Sequence, residues 1–401
     1  MMRRETQMPE TGNQKLVKKI NKSIVLKMIR NQAPISRAAI SQKAGLNRGT
    51  VSSLVSELID EQLISESGMG ESRGGRKPVI LLFNQAAGHS IGIDLGVNYL
   101  LGVLTDLKGK VVEERKIEIH SLSAEEIISS IKSMIRELHK SAPESPNGTV
   151  GIGIGVPGIV NHEGEVLLAP NLMWDHIPLK KILEEEFSIP ILIENEANAG
   201  AYGEKLYGAG KEQENLIYIS AGIGIGAGLI LNNELYRGLK GYSGEVGHMV
   251  IDVEGKHCRC GRQGCWELYA SEQAILNEAH ALGINEDSAD PLTLEQLISL
   301  ADKGHQEVID LFIKTGKYLA VGILNMINTF NPEQVIIGNR MAMAEKWMKP
   351  VISETMKEQS KEFNQEGIDI SFSKLATHSS PLGMAAFITE NFLESGIAQI
   401  H

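Results

Sequence analysis

The sequence predicts a small N-terminal domain of helices and a β-hairpin, followed by a larger body of two α/β lobes. Residues 15–62 carry apolar residues at helical spacing, interrupted at Pro34 and at Gly45. From there on, short β-strand patterns alternate with glycine turns and amphipathic helices. A strand–turn–strand opening occurs at 89–119 and again at 214–238, which indicates two similar lobes around a cleft.

The charge of the chain is unevenly distributed. The 401 residues carry a net charge of −11, yet residues 1–86 contain 14 Lys and Arg against 7 Asp and Glu. The first part is therefore at +7 and the remainder at −18. We expect only the basic part to meet a polyanion, although a chance imbalance on a solvated surface would give the same count.

Composition and the N-terminal residues bear on the location of the protein. Hydrophobic residues make up 42% of the chain, as in an ordinary globular protein. No run approaches the roughly 20 apolar residues of a membrane span, and the N-terminus lacks the apolar core of a secretory signal. We therefore expect a cytoplasmic protein without a membrane partner.

The N-terminal domain is predicted to contain three helices joined by short turns. The first covers 15–32, and its apolar positions at helical spacing are Leu16, Ile20, Ile24 and Met28. Ser36 and Gly45 bound the second helix, and Asn47 caps a third that begins at Arg48. A helix, a tight glycine turn and another helix form the helix-turn-helix pattern.

A β-hairpin with a glycine-rich, basic tip follows at 63–84, as in a winged helix-turn-helix domain. In such a domain the start of the third helix enters the major groove, and the hairpin reaches the DNA backbone or the minor groove. A domain that binds another protein is the alternative. The predicted DNA contacts are Arg37, Asn47, Arg48, Thr50, Ser52 and Ser53, with Arg73, Arg76 and Lys77 at the tip of the hairpin.

We place the domain boundaries where the sequence pattern changes. Residues 1–86 form the winged helix-turn-helix domain, and 87–205 form the first lobe. The C-terminal helix, 384–401, is expected to return to that first lobe. The second lobe covers 206–383 and contains the cysteine-rich segment.

The cysteines of the chain predict a metal site. Three cysteines cannot form a closed set of disulfides, and all lie within eight residues, at Cys258, Cys260 and Cys265. Together with His248 they form a Cys3His donor set, which suits structural Zn²⁺ in a closed tetrahedral site. Gly261 and Gly264 let the backbone fold around one ion. Buried thiols beside an exposed imidazole are the alternative.

Several motifs of the body resemble the ROK family (repressors, open reading frames, kinases) of the actin-like, sugar-kinase superfamily. They are IGIDLG at 91–96, VPGIV at 156–160, ENEANAGAYGE at 194–204, GIGAGL at 224–229, GYSGEVGH at 241–248 and CRCGRQGCWE at 258–267. The resemblance covers essentially the whole chain. The N-terminal domain ends in GGRKP at 74–78, which is similar to the repressor branch of the family. In combination with ENEANAGAYGEKLYGAG at 194–210, LYRG at 235–238 and CWELYASE at 265–272, it is most similar to the xylose-operon repressors of Gram-positive bacteria.

The resemblance implies a sugar site. The residues that match positions holding sugar hydroxyls are Asn195, Glu196, Glu245, His248 and Glu267. Carboxylates and amides suit adjacent hydroxyls, because they offer several hydrogen-bonding atoms. His248 would bind the metal with one ring nitrogen and face the sugar with the other. Surface positions for Glu245 and Glu267, and a helix-capping role for Asn195, are the alternatives.

The family also contains sugar kinases, and four departures from the kinase pattern argue against that activity here. The phosphate motif DxGGT is replaced by DLGVN at 94–98, where Val97 occupies the place of a glycine. Ile223 stands in the second phosphate turn where kinases keep Thr, and GN at 338–339 replaces paired glycines. ENE at 194–196 replaces the kinase triplet END, although a Glu could still act as a base.

We therefore expect a non-enzymatic, sugar-responsive repressor that forms a homodimer or a larger assembly. It would bind operator DNA and leave it when the inducer, xylose by resemblance, enters the cleft. Glu196 is one methylene longer than the kinase Asp, which would favour a pentose and leave glucose as a weak competitor. A kinase with residual activity, a repressor for another sugar and a zinc-stabilised sugar-binding protein whose N-terminal domain binds protein remain alternatives.

Overall fold

The computed structural model describes residues 14–69, 79–119, 122–284, 291–359 and 367–394. Its N-terminal part combines helices with a three-stranded sheet, and the rest contains two five-stranded sheets with helices packed on them. The predicted fold class, an N-terminal helical domain and a two-lobed α/β body, is confirmed. Within the described ranges, no helix has the length and apolar character that a membrane crossing requires.

The N-terminal part begins with three helices, α1 (Gln14–Gln32), α2 (Arg37–Ala44) and α3 (Arg48–Asp60). Its strands are β1 (Ile35–Ser36), β2 (Ile64–Met69) and β3 (Val79–Phe83). They form an antiparallel sheet in the order β1-β3-β2. The α2–turn–α3 segment is thus followed by two antiparallel strands, in the predicted order.

The side chains that the sequence pointed to fix the ends of α2 and α3. Ser36 Oγ accepts a hydrogen bond from the Ala39 N–H at 3.2 Å, and Asn47 Oδ1 accepts one from the Thr50 N–H at 2.7 Å. Gly45 ends α2 in the left-handed conformation, with φ at +66°, which glycine adopts without steric cost. The turn between the two helices is therefore set by local chemistry.

The buried face of α1 does not run through Ile20 and Ile24. Ile20 and Ile24 remain 41% and 39% exposed, whereas Val25, Leu26 and Ile29 are buried. The helix carries two apolar stripes, and periodicity alone does not tell which one is covered. Packing against α3, β3 and the body selects the second stripe.

The first lobe is built on a five-stranded sheet. Four of its strands come first in the chain: β4 (His89–Leu95), β5 (Tyr99–Asp106), β6 (Val111–Glu118) and β7 (Thr149–Val156). A separate small sheet follows, made of β8 (Ile159–Val160), β9 (Val166–Ala169) and β10 (Trp174–Ile177). The fifth strand of the large sheet is β11 (Ile191–Asn195). The order is β11-β7-β4-β5-β6, with β4, β5 and β6 antiparallel as predicted. The helices α4 (Ala124–Ser141) and α5 (Leu179–Glu184) contribute to its core.

The second lobe repeats this opening. Its strands are β12 (Leu216–Ala221), β13 (Ile225–Leu231), β14 (Glu234–Leu235), β15 (Gln334–Gly338) and β16 (Asp369–Phe372), in the order β14-β13-β12-β15-β16. Its helices are α7 (Glu267–Ala270), α8 (Glu272–Ala281), α9 (Leu294–Asp302), α10 (Gln306–Phe330) and α11 (Glu345–Gln359). The helical stretch predicted at 291–330 is therefore two helices.

Two helices connect the sheets. The helix α6 (Glu196–Tyr207) packs on β12 and β13, and α12 (Ser379–Glu394) packs on α6 and on β4 and β7. Their close approach requires glycine, since a Cβ on Gly203 would lie 2.0 Å from the Ser379 carbonyl oxygen and one on Gly383 would lie 1.8 Å from that of Ala199. The end of the predicted C-terminal helix, 395–401, lies outside the described residues.

Candidate functional site

A cleft lies where β4, β11 and β12 end, so that residues of both lobes line one cavity of about 120 Å³. Sites in α/β folds commonly form at this end of parallel strands. The volume is small beside the roughly 300–1,000 Å³ of pockets for drug-sized ligands, which suits a small ligand. All the predicted sugar contacts line it, namely Asn195, Glu196, Glu245, His248 and Glu267.

Asn195 also has the helix-capping role that the sequence left open. Its Oδ1 accepts hydrogen bonds from the backbone N–H groups of Ala197 and Asn198, at 2.8 and 3.1 Å, at the start of α6. Its Nδ2 donates to the Gly158 carbonyl oxygen at 2.9 Å. These bonds hold the amide rigidly in the cavity wall, and the amide nitrogen carries a second N–H that a ligand can use.

Glu196 and Asp94 place two carboxyl groups in the same part of the cavity. Burial, reinforced by the nearby charge of Asp94, raises the pKa of Glu196 to about 8, although Ser220 Oγ donates a hydrogen bond to it at 3.1 Å. Burial also raises the pKa of Asp94 to about 6, against hydrogen bonds from Tyr99 and Ser380. At neutral pH Glu196 is therefore mostly protonated and can donate a hydrogen bond as well as accept one.

The remaining three polar groups of the wall lie on the second lobe. Glu245 precedes a single 3-10 turn that ends at His248, and Glu267 begins α7. His248 Nδ1 lies 3.4 Å from Glu267 Oε1. Burial raises the pKa of Glu245, while His248 opposes that increase and Glu267 adds to it. The wall thus offers hydrogen-bonding groups from both sides of the cleft.

The four predicted metal ligands come together at the edge of this wall. The donor atoms of His248, Cys258, Cys260 and Cys265 all lie within 4.8 Å of one another. The Sγ atoms of Cys260 and Cys265 are 3.7 Å apart, as are Cys258 Sγ and His248 Nδ1. Tetrahedral zinc with Zn–S bonds of about 2.3 Å would hold its sulfur ligands about 3.8 Å apart, so the donor set fits such an ion.

Glycine turns and Glu267 tie this cluster to the cavity. Gly261 and Gly264 have φ values of +86° and +72°, as the sequence led us to expect for the fold of this loop. Glu267 Oε1 lies 3.2 Å from Cys258 Sγ, while its Oε2 lies next to Gly224, 3.2 Å from where a Cβ on that glycine would be. The contact between Glu267 and the thiol was not predicted, because nothing in the local spacing indicates which way this carboxylate turns.

The turn that matches the kinase phosphate motif is closed by an aromatic ring. Tyr99 donates a hydrogen bond from its hydroxyl to Asp94 Oδ2 at 2.6 Å, and it is only 5% exposed. A Cβ on Gly96 would lie 2.4 Å from that ring. The backbone of this turn is therefore packed against Tyr99, and the Asp94 carboxylate is already bound on both oxygens by Tyr99 and Ser380.

A buried ion-pair cluster occupies the side of the cavity that follows β15. Arg340, 9% exposed, donates from Nε to both oxygens of Glu272, at 2.8 and 3.1 Å, and from Nη2 to Glu295 at 2.9 Å. Asn339 Nδ2 donates to Ser220 Oγ at 3.0 Å. Sequence reasoning missed Arg340, because its partners lie 45 and 68 positions away and only the fold brings them together.

The predicted DNA contacts of the helices lie on one accessible part of the N-terminal domain. Arg48, Ser52 and Ser53 are exposed on the first turns of α3. Thr50 is half-buried, and Asn47 is exposed but has its Oδ1 committed to the cap. The start of α3 is therefore accessible to solvent.

Arg37 and the tip of the hairpin differ from the other predicted DNA contacts. Arg37 Nη2 donates to Glu66 Oε1 on β2 at 2.6 Å, so this guanidinium braces the hairpin as well as facing the solvent. The three basic residues predicted at the tip of the hairpin lie outside the described residues; they are Arg73, Arg76 and Lys77.

The chain is similar to curated proteins over both its N-terminal part and its body. The chain is 41% identical to the xylose repressor of Bacillus subtilis (strain 168) over 389 residues, 96% of this chain and 99% of that protein. It is 41% identical over 392 residues to a putative xylose repressor of Caldicellulosiruptor sp. (strain Rt8B.4), covering 95% and 98% of the two chains. The similarity therefore extends over the N-terminal part as well as the body.

Two solved structures of ROK family proteins are also similar to this chain. A ROK family transcriptional regulator, a homologue of the Escherichia coli MLC protein, matches 95% of this chain and 98% of its own with a TM-score of 0.80 and 30% identity. A ROK family glucokinase from Streptomyces griseus, in complex with glucose and AMPPNP, matches 75% of this chain and 99% of its own, with a TM-score of 0.69 and 28% identity. The sequence pattern that defines the ROK family matches residues 90–391, and the chain therefore belongs to the ROK family.

Proposed function

We propose that this protein is a sugar-responsive transcriptional repressor of a xylose-utilisation operon. The observation that carries the proposal is the 41% identity to a xylose repressor across 96% of the chain, N-terminal domain included. The domain boundaries that we propose are 1–86 for the winged helix-turn-helix domain and 87–205 and 206–383 for the two lobes. Because a repressor must reach the DNA of its operon, we place the protein in the cytoplasm, without a membrane partner.

The N-terminal domain would bind the operator as part of a homodimer or a larger assembly. The start of α3, with Arg48, would read the major groove, and the hairpin would contact the backbone or the minor groove. An exposed apolar stripe on α1 supports pairing of two such domains, since Val17, Ile20 and Ile24 are spaced by three and four residues and each remains 39–50% exposed. Two-fold pairing would match a pseudo-palindromic operator.

The cleft would bind the inducer. Asn195, Glu196, Glu245, His248 and Glu267 would hydrogen-bond the hydroxyls of xylose, and the rigid cap at Asn195 would keep this wall in place for the ligand. Xylose would favour an arrangement of the lobes in which the paired N-terminal domains no longer match the operator. Such coupling is reciprocal, so bound operator must weaken xylose binding by the same factor.

Glu196 would contribute to the choice of sugar. Its carboxyl is one methylene longer than the kinase Asp and would occupy the room of the C6 arm of a hexose. A difference of this size is worth about 1–3 kcal/mol, so glucose would bind weakly and compete. Calorimetric titration of wild type and Glu196→Asp with xylose and glucose tests this; an unchanged ratio of the two affinities would remove Glu196 from the explanation.

The Cys3His cluster would hold a structural zinc ion. His248, Cys258, Cys260 and Cys265 leave no position open for a reacting water molecule, so the ion would shape the loop and would not hydrolyse a substrate. Ligation through Nδ1 would fix the ring of His248 with Nε2 toward the sugar. The same loop carries Glu267, so that metal binding would preorganise two groups of the wall.

A sugar kinase is the second reading, and two features of the cleft weigh against it. Tyr99 fills the turn where a kinase cradles phosphate, and Arg340 with Glu272 and Glu295 fills the region after β15. Phosphoryl transfer depends on positioned phosphates and their metal ions, and Tyr99 packs against the turn at 94–98 whose backbone would hold them in a kinase. We therefore assign no catalytic residue and no enzymatic activity to this chain.

A gel-shift titration separates the hypotheses. DNA fragments from the neighbourhood of its own gene are incubated with the protein at several salt concentrations, with and without xylose, glucose and N-acetylglucosamine. A repressor of this kind retains one fragment, loses affinity steeply with salt and releases the fragment on addition of xylose. Release by a different sugar would reassign the inducer, and retention of no fragment at any salt concentration would rule out the repressor.

A further inference from the structure

An ion pair joins the outer edges of the two lobes directly behind the sugar wall. Arg237, just beyond β14 at the edge of the second sheet, donates from Nε to Glu194 Oε2 at 2.7 Å. Glu194 lies on β11, the edge strand of the first sheet, and its side chain is only 12% exposed. The pair therefore connects the edge of the second sheet to the edge of the first.

The other oxygen of Glu194 holds the sugar wall itself. Its Oε1 accepts hydrogen bonds from the Asn195 N–H at 3.0 Å and from Asn198 Nδ2 at 3.1 Å. Asn195 is the wall residue that caps α6, and Glu196 follows it. Because a carboxylate that is charge-paired on one oxygen is fixed in orientation, Arg237 determines where Glu194 places Asn195.

Arg237 also contacts the helix on which the N-terminal domain rests. Its guanidinium carbon lies 5.5 Å from the ring centre of Phe387 on α12. Phe387 in turn stacks on Tyr202 of α6, with ring centres 4.2 Å apart and planes 7° apart. One guanidinium therefore touches both the strand that enters the sugar wall and the long C-terminal helix.

The next turn of α12 reaches the N-terminal domain. Arg30 of α1 pairs with Glu390, with side chains only 13% and 21% exposed, and Lys27 of α1 pairs with Glu394. Ile388 of α12 belongs to the same hydrophobic cluster as Ile29 of α1. A movement of α12 relative to the first lobe would therefore shift α1 as well, through these contacts.

We propose that Arg237 is a positioning residue of the sugar pocket, and that its pairing with Glu194 and its contact with Phe387 link the state of that pocket to the helix carrying the N-terminal domain. The inference rests on the proposed function, because it assigns a role in sugar binding and in operator release. A change in the angle between the lobes must lengthen or reorient this pair, since its two partners lie on different sheets. The pair is therefore placed to favour one arrangement of the lobes over the other.

The test is a double-mutant cycle on the full-length, zinc-loaded protein. Arg237→Gln and Glu194→Gln are each expected to weaken xylose binding about five- to tenfold by calorimetry, or about 1–1.4 kcal/mol. The double variant should be no weaker than either single one, because each change removes the same interaction. Arg237→Lys, which keeps the charge but not the planar fork, should recover part of the affinity.

A matched control breaks a contact between the lobes elsewhere. Glu114 on β6 pairs with Nε2 of His378, beyond β16, at 2.9 Å, at the opposite edges of the two sheets. Glu114→Gln should leave xylose affinity and operator release within about twofold of wild type. The xylose concentration that releases half of a labelled operator should rise in Arg237→Gln by at least the loss in xylose affinity.

Three outcomes are distinguishable. Lower melting temperatures with unchanged xylose affinity would show that Arg237 is only structural, and fully additive losses in the cycle would show that it does not act through Glu194. Either would overturn the inference while leaving the repressor intact. A wild type that binds xylose but no operator, or operator but no xylose, would overturn the proposed function and the inference with it.

Discussion

Replacing Glu196 by Gln is expected to change how the stability of the protein depends on pH. Burial, with a further contribution from Asp94, raises the pKa of Glu196 from 4.5 to about 8. The amide of Gln has nearly the same shape and can keep the hydrogen bond from Ser220, but it does not titrate. The variant therefore removes the ionisation and leaves most of the packing in place.

The magnitude follows from the difference between the two pKa values. Each pKa unit is worth about 1.4 kcal/mol, so the interval from 4.5 to about 8 corresponds to roughly 5 kcal/mol for a group without contact with water. Glu196 lines an open cavity, however, and water there screens its charge. We therefore expect about 2 kcal/mol at pH 8.

The sign is fixed by proton linkage. The unfolded chain releases the proton of Glu196 near pH 4.5, whereas the folded chain keeps it up to about pH 8. Below pH 4.5 the group makes no difference; as the pH rises to 8, unfolding releases a proton and the free energy of unfolding falls. The gain of Glu196→Gln over wild type should therefore grow from near zero at pH 4.5 to about 2 kcal/mol at pH 8.

The assay is urea unfolding of the metal-loaded, sugar-free protein at pH 5, 6.5 and 8. Some pH dependence should remain in the variant because of Asp94, whose pKa is about 6, but the change in stability between pH 5 and pH 8 should be smaller than in wild type. Glu114→Gln, an exposed carboxyl on β6, serves as the control and should follow wild type. Parallel curves for wild type and Glu196→Gln across this range would refute the reasoning.

Three further predictions concern the metal cluster, the DNA contact of Arg48 and the buried ion pair of Arg340. Cys258→Ser should lower bound zinc by elemental analysis and reduce the xylose response; full response without metal would make the cluster peripheral. Arg48→Ala should weaken operator binding by about 1–3 kcal/mol in fluorescence anisotropy while leaving xylose affinity unchanged, and equal operator affinity would exclude that contact. Arg340→Leu should lower the free energy of unfolding by about 3–5 kcal/mol, since it leaves the 1% exposed Glu272 without its partner; a loss under about 1 kcal/mol would contradict this.

Local sequence patterns predicted the parts of the fold that depend on residues close together in the chain. Ser36 and Asn47 were identified as caps because a short polar side chain before an apolar period satisfies the free N–H groups of a helix start. The metal cluster followed from three thiols within eight residues, since so short a loop can bring them to one ion. The two lobes followed from a repeated strand–turn–strand opening.

Features that depend on distant parts of the chain could not be predicted. The spacing did not settle which face of α1 is buried, because Ile24 and Val25 are both apolar and packing against α3 and the body decides which is covered. Arg340 and Arg237 find their carboxylate partners 68 and 43 residues away, and nothing in local spacing pairs such side chains. The roles of Arg340 beside the cavity and of Arg237 between the lobes are therefore visible only in the three-dimensional structure.

The most direct test of a sugar-released repressor is the anisotropy of a fluorescently labelled operator fragment titrated with the zinc-loaded protein, at fixed salt, with and without xylose. We expect nanomolar binding without sugar and an apparent dissociation constant at least about tenfold higher with saturating xylose. A fragment bound equally well in both conditions, or not bound in either, would contradict the proposed link between the cleft and the N-terminal domain.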